Sequence, residues 1–183
     1  MDQEKRTKIW ERLRIGGATS IVVSEAGKEF ATELLAELHD NLNQESIVPV
    51  LVCCSSYHSS DEFWKGLSGE VLALLKPKLS MDSLSAVENN VKRIANNTQS
   101  FMLKRNLDKI LDQAKTKDGI SVLLVLFEFD SMFVFMSEPG MMMVRNIGSK
   151  LTLLTVSKRP LDDLGVEYYG QRYFCNQFLT FIL

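Results

Sequence analysis

Three short stretches carry residue types that can handle a phosphate group. Gly27 and Lys28 stand between a β-branched run, Thr19 to Val23, and a helical pattern with Phe30, Leu34, Leu35 and Leu38. At a helix start, glycine lets backbone N–H groups curl around an anion, lysine supplies the opposing charge, and the helix dipole adds to both. Glu128 and Asp130 lie at the end of the most apolar run of the chain, Ile120 to Phe129. Carboxylates in that position can support a divalent ion or polarise a water molecule. Lys158 and Arg159 follow another apolar run, Leu151 to Val156, and cations there can meet an anion. Each stretch also has a plainer reading. Lys28 can point to solvent beside Glu25 and Glu29, Glu128 and Asp130 can cap a neighbouring helix, and Lys158 and Arg159 can be a solvated surface pair.

Other chemistries find less support. The three cysteines, Cys53, Cys54 and Cys175, have neither the density nor the spacing of a disulfide framework or a zinc site, and read as small core residues in a reducing compartment. His39 and His58 are the only histidines and lie at no metal-ligand spacing. A triad of Cys54, His58 and Asp61 lacks any nucleophile-elbow sequence to present it. Twenty-one basic residues nearly balance 23 acidic ones, so the net charge of -2 creates no field that would gather nucleic acid or an anionic membrane. The charged opening, Met1 to Arg6, is unlike a signal peptide, and no apolar run is long enough to span a bilayer. These features place the chain in the cytoplasm.

The elements that must position the three stretches can be read from hydrophobic periodicity. A chain of 183 residues with 45% apolar content can bury one sizeable core. Asp2 to Arg14 reads as a short docking helix with Ile9, Trp10 and Leu13, ended by Gly16 and Gly17. Ile47 to Cys54 is a strand covered on both faces, although Pro49 requires a sheet edge or a position before the ladder begins. Ser60 is the predicted N-cap of a helix carrying Phe63, Trp64, Leu67, Val71, Leu74 and Leu75. Ser80 to Lys117 fits one or two amphipathic helices with a break near Asn96 and Asn97. Further strands are expected at Ile120 to Phe129, Leu151 to Val156 and Gln177 to Leu183, with a methionine-rich stretch and a short helix after Asp130. Those methionines suit adaptable core filling or a docking patch.

Strands that alternate with helices favour a mostly parallel five-stranded sheet in a three-layer α/β sandwich. Ligands on such sheets bind at the carboxyl ends of the strands. Ser24 to Lys28, Ser55 to His58, Glu128 to Ser131 and Ser157 to Arg159 should therefore share one rim.

Taken in order, these segments resemble the nucleotide-binding core of the STAND and AAA-type P-loop ATPases. V-V-S-E-A-G-K-E-F falls where the Walker A loop would lie, and D-E-F-W-K-G-L resembles the helix after the second strand. V-L-L-V-L-F-E-F-D resembles the Walker B strand, and T-L-L-T-V-S-K-R-P-L-D-D-L-G the fourth strand with its sensor position. Y-F-C-N-Q-F-L-T-F-I-L is similar to the fifth strand and its lead-in. The similarity implies the strand order 5-1-4-3-2, a helix and linker at 1–17, and a P-loop NTPase-like domain at 18–183 without a C-terminal lid. It also implies ATP or ADP binding through Gly27, Lys28, the Glu29 position, Lys158 and Arg159, with Glu128 as the catalytic carboxylate and Asp130 as a shifted metal ligand.

The resemblance is broken where the chemistry is most demanding. Val22 stands at the first Walker A glycine, Glu29 at the magnesium-binding hydroxyl, and Phe127 at the Walker B aspartate. Loss of the metal removes a transition-state stabilisation of several kcal/mol, and each ~1.4 kcal/mol is about tenfold in rate. The expectation is a degenerate ATPase-like module for regulation or assembly, with magnesium doubtful and hydrolysis absent or residual. A protein partner, further domains or a second copy would receive its output. The competing expectation is an ATP-binding switch or slow ATPase with substituted metal ligands.

Overall fold

The computed structural model describes residues 3–23, 28–42, 46–95, 99–170 and 178–183. Five strands, β1 (Ala18–Val22), β2 (Ile47–Cys53), β3 (Ser121–Phe127), β4 (Thr152–Ser157) and β5 (Phe178–Ile182), form one sheet. Its order is β2-β3-β4-β1-β5 and every neighbouring pair is parallel. This is the order that the family resemblance implied, taken from the opposite edge. β1 and β3 flank β4, so the ends of all three meet.

Alternation along the strands divides the core in two. Val122, Leu124 and Leu126 of β3 enter the larger cluster with Val48, Val50 and Val52 of β2, while Leu123 and Val125 enter the smaller one with Ile21, Leu154 and Val156. The larger cluster is covered by α3 (Ser60–Leu75), α4 (Met81–Ala95), α5 (Ser100–Asp118), α6 (Met132–Phe135), α7 (Glu138–Ile147) and α8 (Leu161–Tyr169). The smaller one is covered by Ile9 and Leu13 of α1 (Gln3–Ile15) and by Leu34, Leu35 and Leu38 of α2 (Lys28–Leu42). An Arg6–Glu37 ion pair joins these two helices. Faces buried on both sides explain why β3 reads as an uninterrupted apolar run.

Several boundaries differ from the sequence reading for identifiable reasons. The N-cap of α3 is Ser59, not Ser60: the Ser59 side chain accepts from the Glu62 amide at 3.2 Å, whereas the Ser60 hydroxyl lies 2.9 Å from that of Ser100. β3 stops at Phe127 because Glu128 turns into the left-handed region, and Phe129 then drops into the larger cluster. Pro49 is accommodated because β2 is an edge strand. α4 ends at Ala95 and α5 begins at Ser100, on either side of the expected break, with residues 96–98 outside the described part.

The methionine-rich stretch is largely core. Met132, Met136, Met141 and Phe133 are buried, and Phe133 stacks on Tyr169 with ring centroids 5.6 Å apart. α8 was not anticipated, although Pro160 at its start, Asp162 and Asp163 in its first turn and Gly170 at its end are helix-boundary signals. Tyr169 ties α8 to the end of α6, its hydroxyl donating to the Met136 carbonyl at 2.7 Å.

Burial first, then the negative charge of Glu138, pushes the Tyr169 phenol up to about 12. The folded state therefore holds this proton more tightly than the unfolded chain, whose tyrosines titrate near 10. The Tyr169 contribution is complete below pH 10 and disappears as pH rises through 12. Tyr169→Phe should cost about 1 kcal/mol in urea unfolding at neutral pH. It should also flatten the loss of stability between pH 10 and 12, and an unchanged alkaline slope would contradict this assignment.

Candidate functional site

The carboxyl ends of β1, β2, β3 and β4 converge on one rim. β1 runs in register with both neighbours up to its last residue, Val22 pairing with Ser157 of β4 and Ile182 of β5. The ladder continues one step further, since the Val23 amide donates to the Ser157 carbonyl at 2.9 Å and the Val22 carbonyl accepts from Leu183 at 2.9 Å. Both groups at the exit of β1 are thus held by the sheet. Gly27 lies outside the described residues, as do Ser24, Glu25 and Ala26. Lys28 opens α2, with its side chain outside the described part, and Glu29 is exposed in the first turn.

β3 delivers two carboxylates to this rim by different routes. Glu128, exposed, has φ 48° and ψ 43° and is the one non-glycine residue with positive φ among the described residues. A side chain there strains the backbone by about 1 kcal/mol or more. The Cys53 thiol, from the end of β2, donates to Glu128 Oε2 at 3.6 Å and lies 3.3 Å from Ser55 Oγ. Asp130 is half-buried and points the other way along the rim. Its Oδ2 accepts from the Lys158 amide at 2.8 Å, while its buried Oδ1 has no hydrogen-bond partner among the described residues. Asp130 therefore fastens the end of β3 to the loop after β4.

That loop is fixed in backbone and exposed in side chain. Ser157 Oγ donates to the Arg159 carbonyl at 2.8 Å, and both Lys158 and Arg159 are exposed. The Arg159 guanidinium pairs with Glu167 of α8. The hydrogen bond to Glu167 raises the Arg159 pKa, and the same contact lowers that of Glu167.

Phe127, at the position to which the resemblance assigns a metal-bearing carboxylate, ends β3. It is half-buried and packs on the smaller cluster together with Val23, Leu51, Phe181 and Leu183. No group of three or more His, Cys, Asp or Glu among the described residues is arranged to hold a metal ion. An apolar ring offers magnesium no oxygen, and Glu29 is exposed, so Phe127 and Glu29 do not fit a magnesium site at the positions that the resemblance assigns to them.

The remaining sequence candidates separate. Cys54 is buried as expected, and burial together with the negative field of Cys53, Glu128 and Asp130 pushes its thiol well above the ordinary value. Cys53, expected in the core, is exposed because it ends an edge strand; Cys175 lies outside the described residues. Asp61 accepts from both the amide and the hydroxyl of Ser100 and so caps α5, and the His58 amide donates to Glu62. Glu167 and the Cys53–Glu128 contact were not singled out from sequence; nothing in periodicity brings residues 75 positions apart together. A groove of about 250 Å³ lies at the opposite end of the sheet, beside Gly16, Gly17 and Thr152. Its Arg14 and Lys115 sit in the last turns of α1 and α5, where they offset the negative helix ends.

Comparison with solved structures matches this arrangement over nearly the whole chain. A Walker-type ATPase of Pyrococcus abyssi superposes with TM-score 0.59 at 12% identity, covering 99% of this chain and 53% of its own. The fold is that of a P-loop ATPase. The Aeropyrum pernix ORC2 protein, in ADPNP–ADP complexes, gives TM-score 0.60 at 11% identity over 98% of this chain and 46% of its own. The Aeropyrum pernix ORC1 protein in complex with DNA gives 0.55 at 14% over 91% and 39%. The chain thus spans about half the length of these proteins or less, and identities this low speak for the fold alone. No protein-family model matches the sequence, and no curated protein does. Among the described residues, no helix is long and apolar enough to cross a membrane.

The left-handed turn gives a direct test of what Glu128 does. Glu128→Gly removes the steric strain, so the variant should be as stable as the wild type or more stable by up to about 1 kcal/mol in urea unfolding. A loss above about 1 kcal/mol would instead make its side chain a structural support of the β3 end.

Proposed function

We propose that the chain is an ATPase-like domain of the STAND/AAA type with degenerate Walker motifs, holding ATP or ADP at this rim without efficient hydrolysis. Its work on this reading is regulatory or assembly-related, carried by contacts with a protein partner, with further domains of a larger assembly, or with a second copy of itself. Gly27, Lys28 and the first turn of α2 at Glu29 would hold the phosphates, with Lys158 and Arg159 facing the terminal one. The observation that carries the reading is Phe127. Where a carboxylate would support magnesium, an aromatic ring packs into an apolar cluster instead.

Two further features support it. The Val23 amide is committed to β4, so fewer N–H groups remain to cradle phosphate at the exit of β1. Without a divalent ion, a triphosphate would also face Glu29, Glu128 and Asp130 with only lysine and arginine to offset them. The Aeropyrum ORC2 structure in ADPNP–ADP complexes supports nucleotide as the ligand class. The net charge of -2 gives no matching support for the DNA named with ORC1.

A working switch or slow ATPase is favoured by one observation, the buried Asp130 Oδ1 without a partner among the described residues. That oxygen, three residues beyond Phe127, would be the substituted metal ligand of such a switch.

Melting temperatures with ATP, ADP and no ligand, each with and without magnesium, separate the readings. Binding at a hundred times Kd should contribute about 2.7 kcal/mol and raise Tm by roughly 5–10 °C. The expected shift is equal with and without magnesium and is lost in Lys28→Ala. A shift that requires magnesium would favour the switch, and no shift with any ligand would remove nucleotide and leave the interaction module.

A further inference from the structure

We propose that Glu167 holds Arg159 in an autoinhibitory ion pair, so that Glu167 and the terminal phosphate of a nucleotide compete for one guanidinium. The inference rests on the reading above that the rim takes a nucleotide. Ser157, two residues before Arg159, pairs with Val22 and accepts the Val23 amide. Arg159 therefore follows closely on the end of β4 that is bonded to the last residues of β1, Val22 and Val23. Its backbone is also pinned, by the Asp130–Lys158 bond on one side and the Ser157–Arg159 bond on the other. Only the side chain is left to choose a direction.

In this structure it chooses α8. Glu167 is presented from a helix anchored by buried Leu161 and Leu164 and by the Tyr169 bond to Met136, so the acceptor does not follow the arginine if it turns away. A guanidinium fork meets carboxylate and phosphate oxygens with the same geometry, so one can replace the other. Both partners are about half exposed, and such pairs are weak. A weak latch is one that a multiply charged phosphate can displace, at a measurable cost in affinity.

The test is ATP and ADP affinity by isothermal titration calorimetry for the wild type, Glu167→Gln, Arg159→Ala and the double variant. Glu167→Gln should tighten ATP by about two- to fivefold, the range expected for an exposed ion pair, with ADP moving less. Arg159→Ala should weaken ATP, and in that background Glu167→Gln should change nothing. Asp162→Asn, which removes an unrelated exposed charge from the same helix, should leave affinity within about twofold. Unchanged or weaker ATP binding in Glu167→Gln would overturn the latch while wild-type binding preserves the nucleotide reading. Equal tightening with and without Arg159, or in Asp162→Asn, would reduce it to bulk charge and overturn it as well. Absence of ATP binding in every variant would bring down the nucleotide reading and this inference with it.

Discussion

The rim is shaped by the depth to which β1 stays in the sheet. Val22 is paired on both sides, and the Val23 amide still donates to β4. A phosphate cradle requires the opposite, a chain that leaves the ladder early so that its N–H groups are free and can turn inward. Glycine makes that departure easy, while a buried valine, with its stiff side chain and strand preference, keeps the backbone extended. On the proposed reading, this constraint leaves a bound phosphate more dependent on side-chain cations.

The second determinant is the distribution of charge around the strand ends. Cys54 senses Glu128 and Asp130 as a negative field. Phe127, the residue before Glu128, belongs instead to the apolar layer beneath α1 and α2. Asp130 is drawn into holding the β4 loop, and Arg159 is drawn towards α8. Carboxylates and cations are present in about the right numbers for nucleotide chemistry, yet much of their bonding capacity is directed at one another. On the reading proposed above, a domain built this way holds a state and does not turn over a substrate.

Much of the scaffold is legible in the residues themselves. The apolar runs in β2 and β3 announce strands buried on both faces, and the alternation of strands with helices announces parallel pairing. The order of the strands is not contained in periodicity and came from the resemblance of the motifs. The position of the rim could be read because parallel strands end together. What sits on it could be read only as residue types. The turn at Glu128 is invisible in sequence because glutamate carries no left-handed signal. α8 was missed because its nine residues make little more than two turns, too short for a helical period to stand out, although its boundary residues were present. The pairing of Arg159 with Glu167 depends on that helix, and the Cys53–Glu128 contact depends on sheet register.

The central claim is that no divalent ion works against a triphosphate at this rim. Phosphate release from ATP by the purified chain, with and without magnesium and beside Lys28→Ala, tests it most directly. The expected result is a wild-type rate that does not exceed that of Lys28→Ala under either condition. Magnesium-dependent release in the wild type that disappears in Lys28→Ala would contradict it.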